Sequence, residues 1–316
     1  MNPIHSLPSI IQTPLRRDYT DLLTHGKMLE AEKLSRELSA LLDVPFYFSH
    51  FGNPHYPVQN IEAKTVFVHL NPGSGLGQFN TESEFFAQRW DKDAFYKQHG
   101  LAQQVGIDEV LNGYIRGWKN YAHQRFVIKG EMDNFDFKQA CFLMHWPDSG
   151  INLINGDLSH RTVQQQNMVN VIEQKLQLEL LPYGSNTINT SQLLKAFELK
   201  PDLLSPYIEN LLALITLHPR KYVLFGSRVF QQLFRAYHIR VKPIILQENP
   251  EIKIQHITKN SLSFSCMRLQ WENQTVDAGI AHSFARRDLP NAYQKMAAYG
   301  LACYRYYQQN NQLLVS

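Results

Sequence analysis

A chain of 316 residues, 44% hydrophobic and 19% charged, can bury a substantial core as one large domain or two ordinary ones, and is too apolar for a disordered segment. Its net charge of +3 neither demands nor excludes a nucleic-acid partner. Cys141, Cys266 and Cys303 lie far apart with no CxxC, which argues against a disulfide framework or a cysteine-rich zinc site.

Residues 1–20 contain three prolines and read as an irregular arm. Residues 19–42 carry apolar residues at helical spacing with no proline, so one helix is expected there. Residues 46–60, aromatic and broken by Pro and Gly, read as loop, so residues 1–60 form a helical and looped extension. The run 65–70 is a buried strand that stops at Asn71-Pro72-Gly73 and a glycine-rich turn. Residues 82–98, 107–124 and 162–177 look helical, and 137–144 reads as a helix or strand end leading to Trp146-Pro147. The segment 80–175 is best read as a helical insertion on the same domain.

A second strand is expected over 178–181, running into Pro182-Tyr183-Gly184-Ser185-Asn186. Residues 193–197 and 203–217 are helical, and 222–225 with Gly226-Ser227 and the periodic stretch 229–237 reads as strand, glycine turn and helix. Residues 252–271 contain alternating stretches that suggest a hairpin. Residues 276–281 form a short strand ending at His282-Ser283-Phe284, and a long helix follows over about 290–310. Strands alternating with helices predict one α/β domain over 1–316, with a largely parallel sheet between two helical layers.

No G-x-x-x-x-G-K-[ST], G-x-S-x-G or H-E-x-x-H occurs, and Gly73-Ser74-Gly75-Leu76-Gly77 lacks the spacing of a dinucleotide fingerprint. Thirteen histidines are scattered without ligand-type spacing, so neither metal nor cofactor is expected. No apolar run reaches the ~18 residues of a membrane span, and residues 1–17 have no leader-type apolar core, so a cytoplasmic protein off the membrane is expected. From Arg220 to Arg287 there are eleven Lys/Arg against four Asp/Glu, which reads equally as a face for phosphates or as ordinary solvated charge.

Two strand ends stand out together. Ligands in open α/β sheets bind beyond the carboxyl ends of the strands. Asn71 sits beyond one such end and His282 with Ser283 beyond another. An Asn amide can hold a water, and a His can donate to a developing anion or carry a proton. As a polar residue at a strand end, Asn71 is expected to tolerate Ala with little loss of stability.

This pattern resembles the uracil-DNA glycosylase superfamily, in particular its mismatch-specific, thymine-DNA glycosylase-like branch. The resemblance lies in His69-Leu70-Asn71-Pro72-Gly73 at the end of the first strand and Gly279-Ile280-Ala281-His282-Ser283-Phe284-Ala285-Arg286-Arg287 after the last. It covers about 60–80 and 176–300. The second motif lacks the proline usual between its His and Ser, and also the usual wedge residue.

The resemblance implies a three-layer α/β/α fold around a parallel four-stranded sheet, with hydrolysis of the N-glycosidic bond of a damaged or mismatched base in DNA and no cofactor. By similarity, Asn71 would hold the attacking water and His282 would donate toward the leaving base. Pro72 and Gly73 would shape the turn around the sugar. Phe79, or Phe85 after it, would stack on the base. Asn186 would read the base edge, and Tyr183 would line or block that pocket. Ser283 would bind a phosphate, and Arg286 and Arg287 would contact phosphates or stand as solvated charge. Two other readings stay open. One is a non-catalytic module binding nucleic acid or a nucleotide on the same fold. The other is a small-molecule enzyme with 80–175 as lid, its pocket lined by Trp90, Tyr114, Trp118, Tyr121 and Trp146.

Overall fold

The computed structural model describes residues 3–48, 54–72, 82–87, 89–98, 100–132, 134–146, 149–154, 160–185, 189–242, 244–248, 252–254, 262–281, 284 and 290–310. In chain order the elements are α1 (Ser9–His25), α2 (Leu29–Leu42), β1 (Thr65–His69), α3 (Glu82–Ala87), α4 (Lys92–Gln98), α5 (Ile107–Ala122), α6 (Asn134–Leu143), α7 (Arg161–Gln174), β2 (Leu176–Glu179), α8 (Thr190–Leu199) and α9 (Pro201–Thr216). They continue as β3 (Tyr222–Phe225), α10 (Val229–Arg240), β4 (Ile245–Glu248), β5 (Ile252–Ile254), β6 (Leu262–Trp271), β7 (Gln274–Ile280) and α11 (Pro290–Asn310). The chain divides into two compact units. The first is Met1–Gln59, Leu70–Lys119 and Glu179–Leu211; the second is Asn60–His69, Asn120–Leu178 and Leu212–Ser316.

The second unit is built on a mixed sheet in the order β2-β1-β3-β7-β6-β4, with β5 paired to β6. β1 and β3 are parallel, Thr65 opposite Tyr222 through Val68 opposite Phe225. β3 and β7 are parallel, Val223 opposite Ala278 through Phe225 opposite Ile280. β6 is antiparallel to β7, β4 and β5. The expected parallel four-stranded sheet is not what the described residues form: they make a mixed sheet of seven strands in which β6 runs antiparallel to its neighbours. The physical reason is the tight connection at Glu272 and Asn273: so short a turn can only fold β6 back against β7. The bidentate pair of Arg268 with Asp277 (2.7 and 3.0 Å), directly opposite in register, braces that hairpin.

Side chains alternate across these strands and send their apolar groups to both faces. On one face Phe67, Leu224 and Phe264 join Phe142 and Trp146 from the α6 segment and Tyr293, Met296 and Tyr304 from α11. The fully buried Trp146 donates its indole N–H to Ala297 O at 2.9 Å. Tyr304 Oη donates to Asp277 O at 2.9 Å, fixing α11 to β7. On the opposite face Phe225 packs on Phe230 and Phe234 of α10.

The first unit is helical. The arm expected over residues 1–20 is instead mostly α1. Its prolines are absorbed by a 3-10 turn at Pro3–Ser6, by Pro8 just before the helix, and by Pro14 inside it. The single helix expected over 19–42 is broken at Gly26, whose φ of +72° is the left-handed ending that glycine favours. The helix expected over 82–98 is likewise two, because Asp91 Oδ1 accepts from Ala94 N (2.9 Å) and starts α4. β2 begins two residues earlier than expected, since α7 stops at Gln174. No helix among the described residues is long and apolar enough to cross a membrane.

Phe264 occupies a notch made by two glycines. A Cβ on Gly279 would collide with its ring and lie 3.1 Å from Leu224 Cδ2, and one on Gly300 would lie 2.8 Å from Phe264 Cδ2. Gly279→Ala should therefore destabilise the protein by about 1–3 kcal/mol through overpacking. A denaturation midpoint checks this, and Gly279→Ala combined with Phe264→Leu should lose less than the sum of the two single changes.

Candidate functional site

β1 runs out at His69, and Leu70, Asn71 and Pro72 continue into the first unit. There they are matched by the segment that follows β2. Leu181 N donates to Leu70 O (2.8 Å) and Ser185 N donates to Pro72 O (3.2 Å). Between those two links the Asn71 side chain is held by its amide nitrogen. Nδ2 donates to Pro72 O and to Ser185 Oγ, both at 2.8 Å, and more weakly to Tyr183 O at 3.4 Å. Two of these partners are carbonyls, which can only accept, so the amide orientation is forced. Its two N–H groups are occupied, and among the described residues no donor reaches Oδ1. Asn71 thus presents a fixed acceptor. The three contacts also correct the expectation that Asn71→Ala is nearly neutral: about 1–2 kcal/mol of stability should go with them.

Tyr183 is fully buried, and its hydroxyl lies in a polar cluster. Asp18, also fully buried on α1, accepts from Arg17 Nε on Oδ1 (2.9 Å). On Oδ2 it accepts from Tyr56 Oη (2.7 Å) and Tyr183 Oη (3.1 Å). Arg17 Nη2 donates to Tyr183 Oη at 3.1 Å. Burial pushes the Asp18 carboxyl up, while Arg17, Tyr56 and Tyr183 pull it down. The Tyr56 and Tyr183 phenols are pushed well up, chiefly by burial.

The second unit carries its own buried polar chain at the end of β1. Lys175 Nζ donates to Asp136 Oδ1 (3.1 Å) and to Gln139 Oε1 (2.5 Å). The Gln139 amide nitrogen therefore faces His69 Nε2, at 3.2 Å. An amide nitrogen can only donate, so His69 Nε2 is the acceptor and the ring is neutral with its hydrogen on Nδ1. Burial first, then the Lys175 charge, brings the His69 pKa down to about 3. The ring lies among Phe67, Phe135 and Phe284. It also explains Gly226, where a Cβ would come within 2.7 Å of His69 Nδ1. The sequence contains His69 within the first motif, but only Gln139 on α6 and Lys175 just after α7 reveal its state.

The carboxyl ends of the three parallel strands lie at one edge of the sheet, since Gly226 N donates to Val68 O and Ala281 N donates to Phe225 O, both at 2.8 Å. Gly73, Phe79, Asn186, His282, Ser283, Arg286 and Arg287 lie outside the described residues, as does the side chain of Phe85. Of the aromatics offered for a lidded pocket, Trp146 and Tyr114 are core residues, and Trp118 packs edge-on against His55. Within the basic region, Arg220 is committed to the carbonyls of Ile61, Ala63, Leu214 and Ile215, and Arg268 to Asp277. Among the described residues no group of three His, Cys, Asp or Glu could hold a metal ion. Comparison with known proteins finds no matching family model, no matching curated protein and no matching solved structure.

His69 and His55 are held neutral by burial, with pKa values of about 3 and about 4 against an ordinary 6.5. Unfolded, each binds its proton at higher pH. Each contribution is therefore complete above about pH 6.5 and is lost as pH falls toward the folded value. The slope is at most about 1.4 kcal/mol per pH unit for each histidine. Denaturation midpoints between about pH 6.5 and 4.5 should fall with pH, and less steeply in His69→Gln, whose amide oxygen keeps an acceptor for Gln139 without titrating.

Proposed function

We propose that this chain is a divergent uracil-DNA glycosylase-like hydrolase that cleaves the N-glycosidic bond of a damaged or mismatched base in DNA. The observation that carries the reading is the Asn71 amide, pinned through its nitrogen by Pro72, Tyr183 and Ser185 with its oxygen left as an acceptor just beyond the carboxyl end of β1. Two features of the sheet support it. The first motif leaves β1 and the second follows β7, the last strand, and both strands are parallel to β3. In this reading β2-β1-β3-β7 correspond to the family's four-stranded sheet between two helical layers, and β6, β4 and β5 extend it on the far side of β7.

Base excision builds positive character on the sugar and negative charge on the departing base. Asn71 Oδ1 would accept a hydrogen from a water and hold it in line with the sugar carbon. Pro72, whose ring fixes its own φ, would shape the turn beneath the sugar. An amide is no strong base, so its contribution is positioning. A base that leaves readily, such as a damaged or mismatched pyrimidine, is the substrate such a site handles. By similarity, His282 would donate to that base, Gly73 would let backbone approach the sugar, and Phe79 and Asn186 would hold the flipped base. Ser283, Arg286 and Arg287 would take the flanking phosphates. Extruding the base costs roughly a few kcal/mol, least at a mismatch or lesion.

The test uses labelled oligonucleotides carrying uracil, a thymine mismatch or ethenocytosine, followed by alkaline cleavage of abasic sites. Strand cuts are expected, reduced about 100-fold or more in Asn71→Ala. Salt-sensitive binding with no cuts at stoichiometric protein would instead support a non-catalytic nucleic-acid-binding module. No binding at low salt would remove DNA as the partner.

A further inference from the structure

The fully buried Asp18 carboxylate takes no part in the chemistry proposed above, yet it is one of the most heavily hydrogen-bonded groups in the first unit. Burying a carboxylate beside an arginine is a poor way to gain stability, since well-packed apolar groups do as well or better. What such a cluster provides is geometry, because each lone pair is matched to a donor in a fixed direction.

Two of the donors lead to one side chain. Tyr183 Oη donates to Asp18 and accepts from Arg17, so the phenol is gripped from both sides at 3.1 Å. Phe48 and Tyr207 pack edge-on against its ring, at centroid distances of 6.4 and 6.3 Å. Through its backbone the same residue belongs to the segment that holds Asn71. Tyr183 O accepts from Asn71 Nδ2, Ser185 Oγ accepts from it more closely, and Ser185 N is tied to Pro72 O. The residue just before Tyr183 is anchored too, since His55 N donates to Pro182 O at 2.8 Å.

We infer that Asp18, through its hydrogen bond to Tyr183, is a positioning residue that sets the orientation of the Asn71 amide. This rests on the reading of Asn71 as the water-holding group. Asp18 and Arg17 touch no reacting atom; they fix the phenol, the phenol fixes residues 183–185, and those residues fix the amide. Tyr56 provides an internal control. It gives Asp18 a hydrogen bond of similar length (2.7 Å), but its hydroxyl lies 3.5 Å from Tyr183 Oη, farther than the 3.1 Å contacts by which Asp18 and Arg17 hold that phenol. A purely structural cluster would respond alike to loss of either hydroxyl.

The experiment compares Tyr183→Phe with Tyr56→Phe in the full chain, both checked for folding by thermal melts, and reads the side-chain NH2 of ¹⁵N-labelled Asn71 by NMR. In Tyr183→Phe the Asn71 amide protons should shift and exchange with water about tenfold faster, whereas Tyr56→Phe should stay within about twofold of the parent. Where excision is measurable, Tyr183→Phe should lower kcat about tenfold with little change in KM. Arg17→Gln, which removes the second grip on the phenol at a half-exposed position, should move the Asn71 resonances in the same direction if Tyr183→Phe does not fold. Unchanged Asn71 resonances in the Tyr183→Phe or Arg17→Gln protein, or equal changes in Tyr56→Phe, would overturn the inference. Absence of excision in the parent protein would overturn the glycosylase reading alone, because the resonances still decide whether Asp18 orients the amide.

Discussion

Parallel pairing of β1 with β3 and of β3 with β7 is the constraint from which the rest of the architecture follows. Parallel neighbours cannot be joined by a tight turn, so each crossover must carry a long segment over a face of the sheet. Those segments supply α6 and α10, which pack Phe142 and Trp146 on one face and Phe230 and Phe234 on the other. Parallel strands also end together. Val68 is linked to Gly226 and Phe225 to Ala281 across that edge by backbone hydrogen bonds, and within two residues of each strand end the chain reaches Asn71, Gly226 or His282. Apolar demand ends with the strands, and chemistry is free to begin.

Each unit contains a buried polar chain, and the two solve the same electrostatic problem differently. In the second unit Lys175 Nζ is held between Asp136 and the Gln139 carbonyl, and His69, buried at the far end of that chain, is neutral. In the first unit Asp18 shares a compact set of donors with Arg17 nearby. Both arrangements leave few buried valences unmet, the condition under which buried polar groups define one conformation rather than several.

Much of this fold was readable from residues alone, because the strongest local signals coincide with the tertiary demand. The apolar run ending at Asn71, the strand–glycine–helix sequence through Gly226 and the long C-terminal helix are all present where pattern places them. The failures have specific causes. Pro14 looks like a breaker but lies within α1, supported by burial of Ile11, Leu15 and Tyr19. Gly26 carries no apolar pattern, and only its left-handed backbone shows that it ends a helix. Antiparallel pairing was legible over 252–271, where β5 lies against β6, but the β6–β7 pair runs through a two-residue turn with no Asn-Gly or Gly-Gly signature. At the site, Asn71 was legible as a strand-end polar residue. Its partner Ser185 and the distant Asp18 were not, because contacts across 114 and 165 residues leave no local pattern.

The geometry around Asn71 also bears on which function its neighbourhood can serve. An amide held merely to close a turn would gain from having both ends bonded, since an unmet acceptor in a half-buried place costs free energy unless water reaches it. Here all the holding falls on the nitrogen, and the oxygen stays open among the described residues. That asymmetry suits a group whose partner comes from solvent or substrate. It suits water better than a base or a phosphate, because an acceptor alone cannot bind an anion and reads only one edge atom of a base. Among the described residues, Arg17 is turned toward Asp18 and Tyr183 and its donors are engaged there.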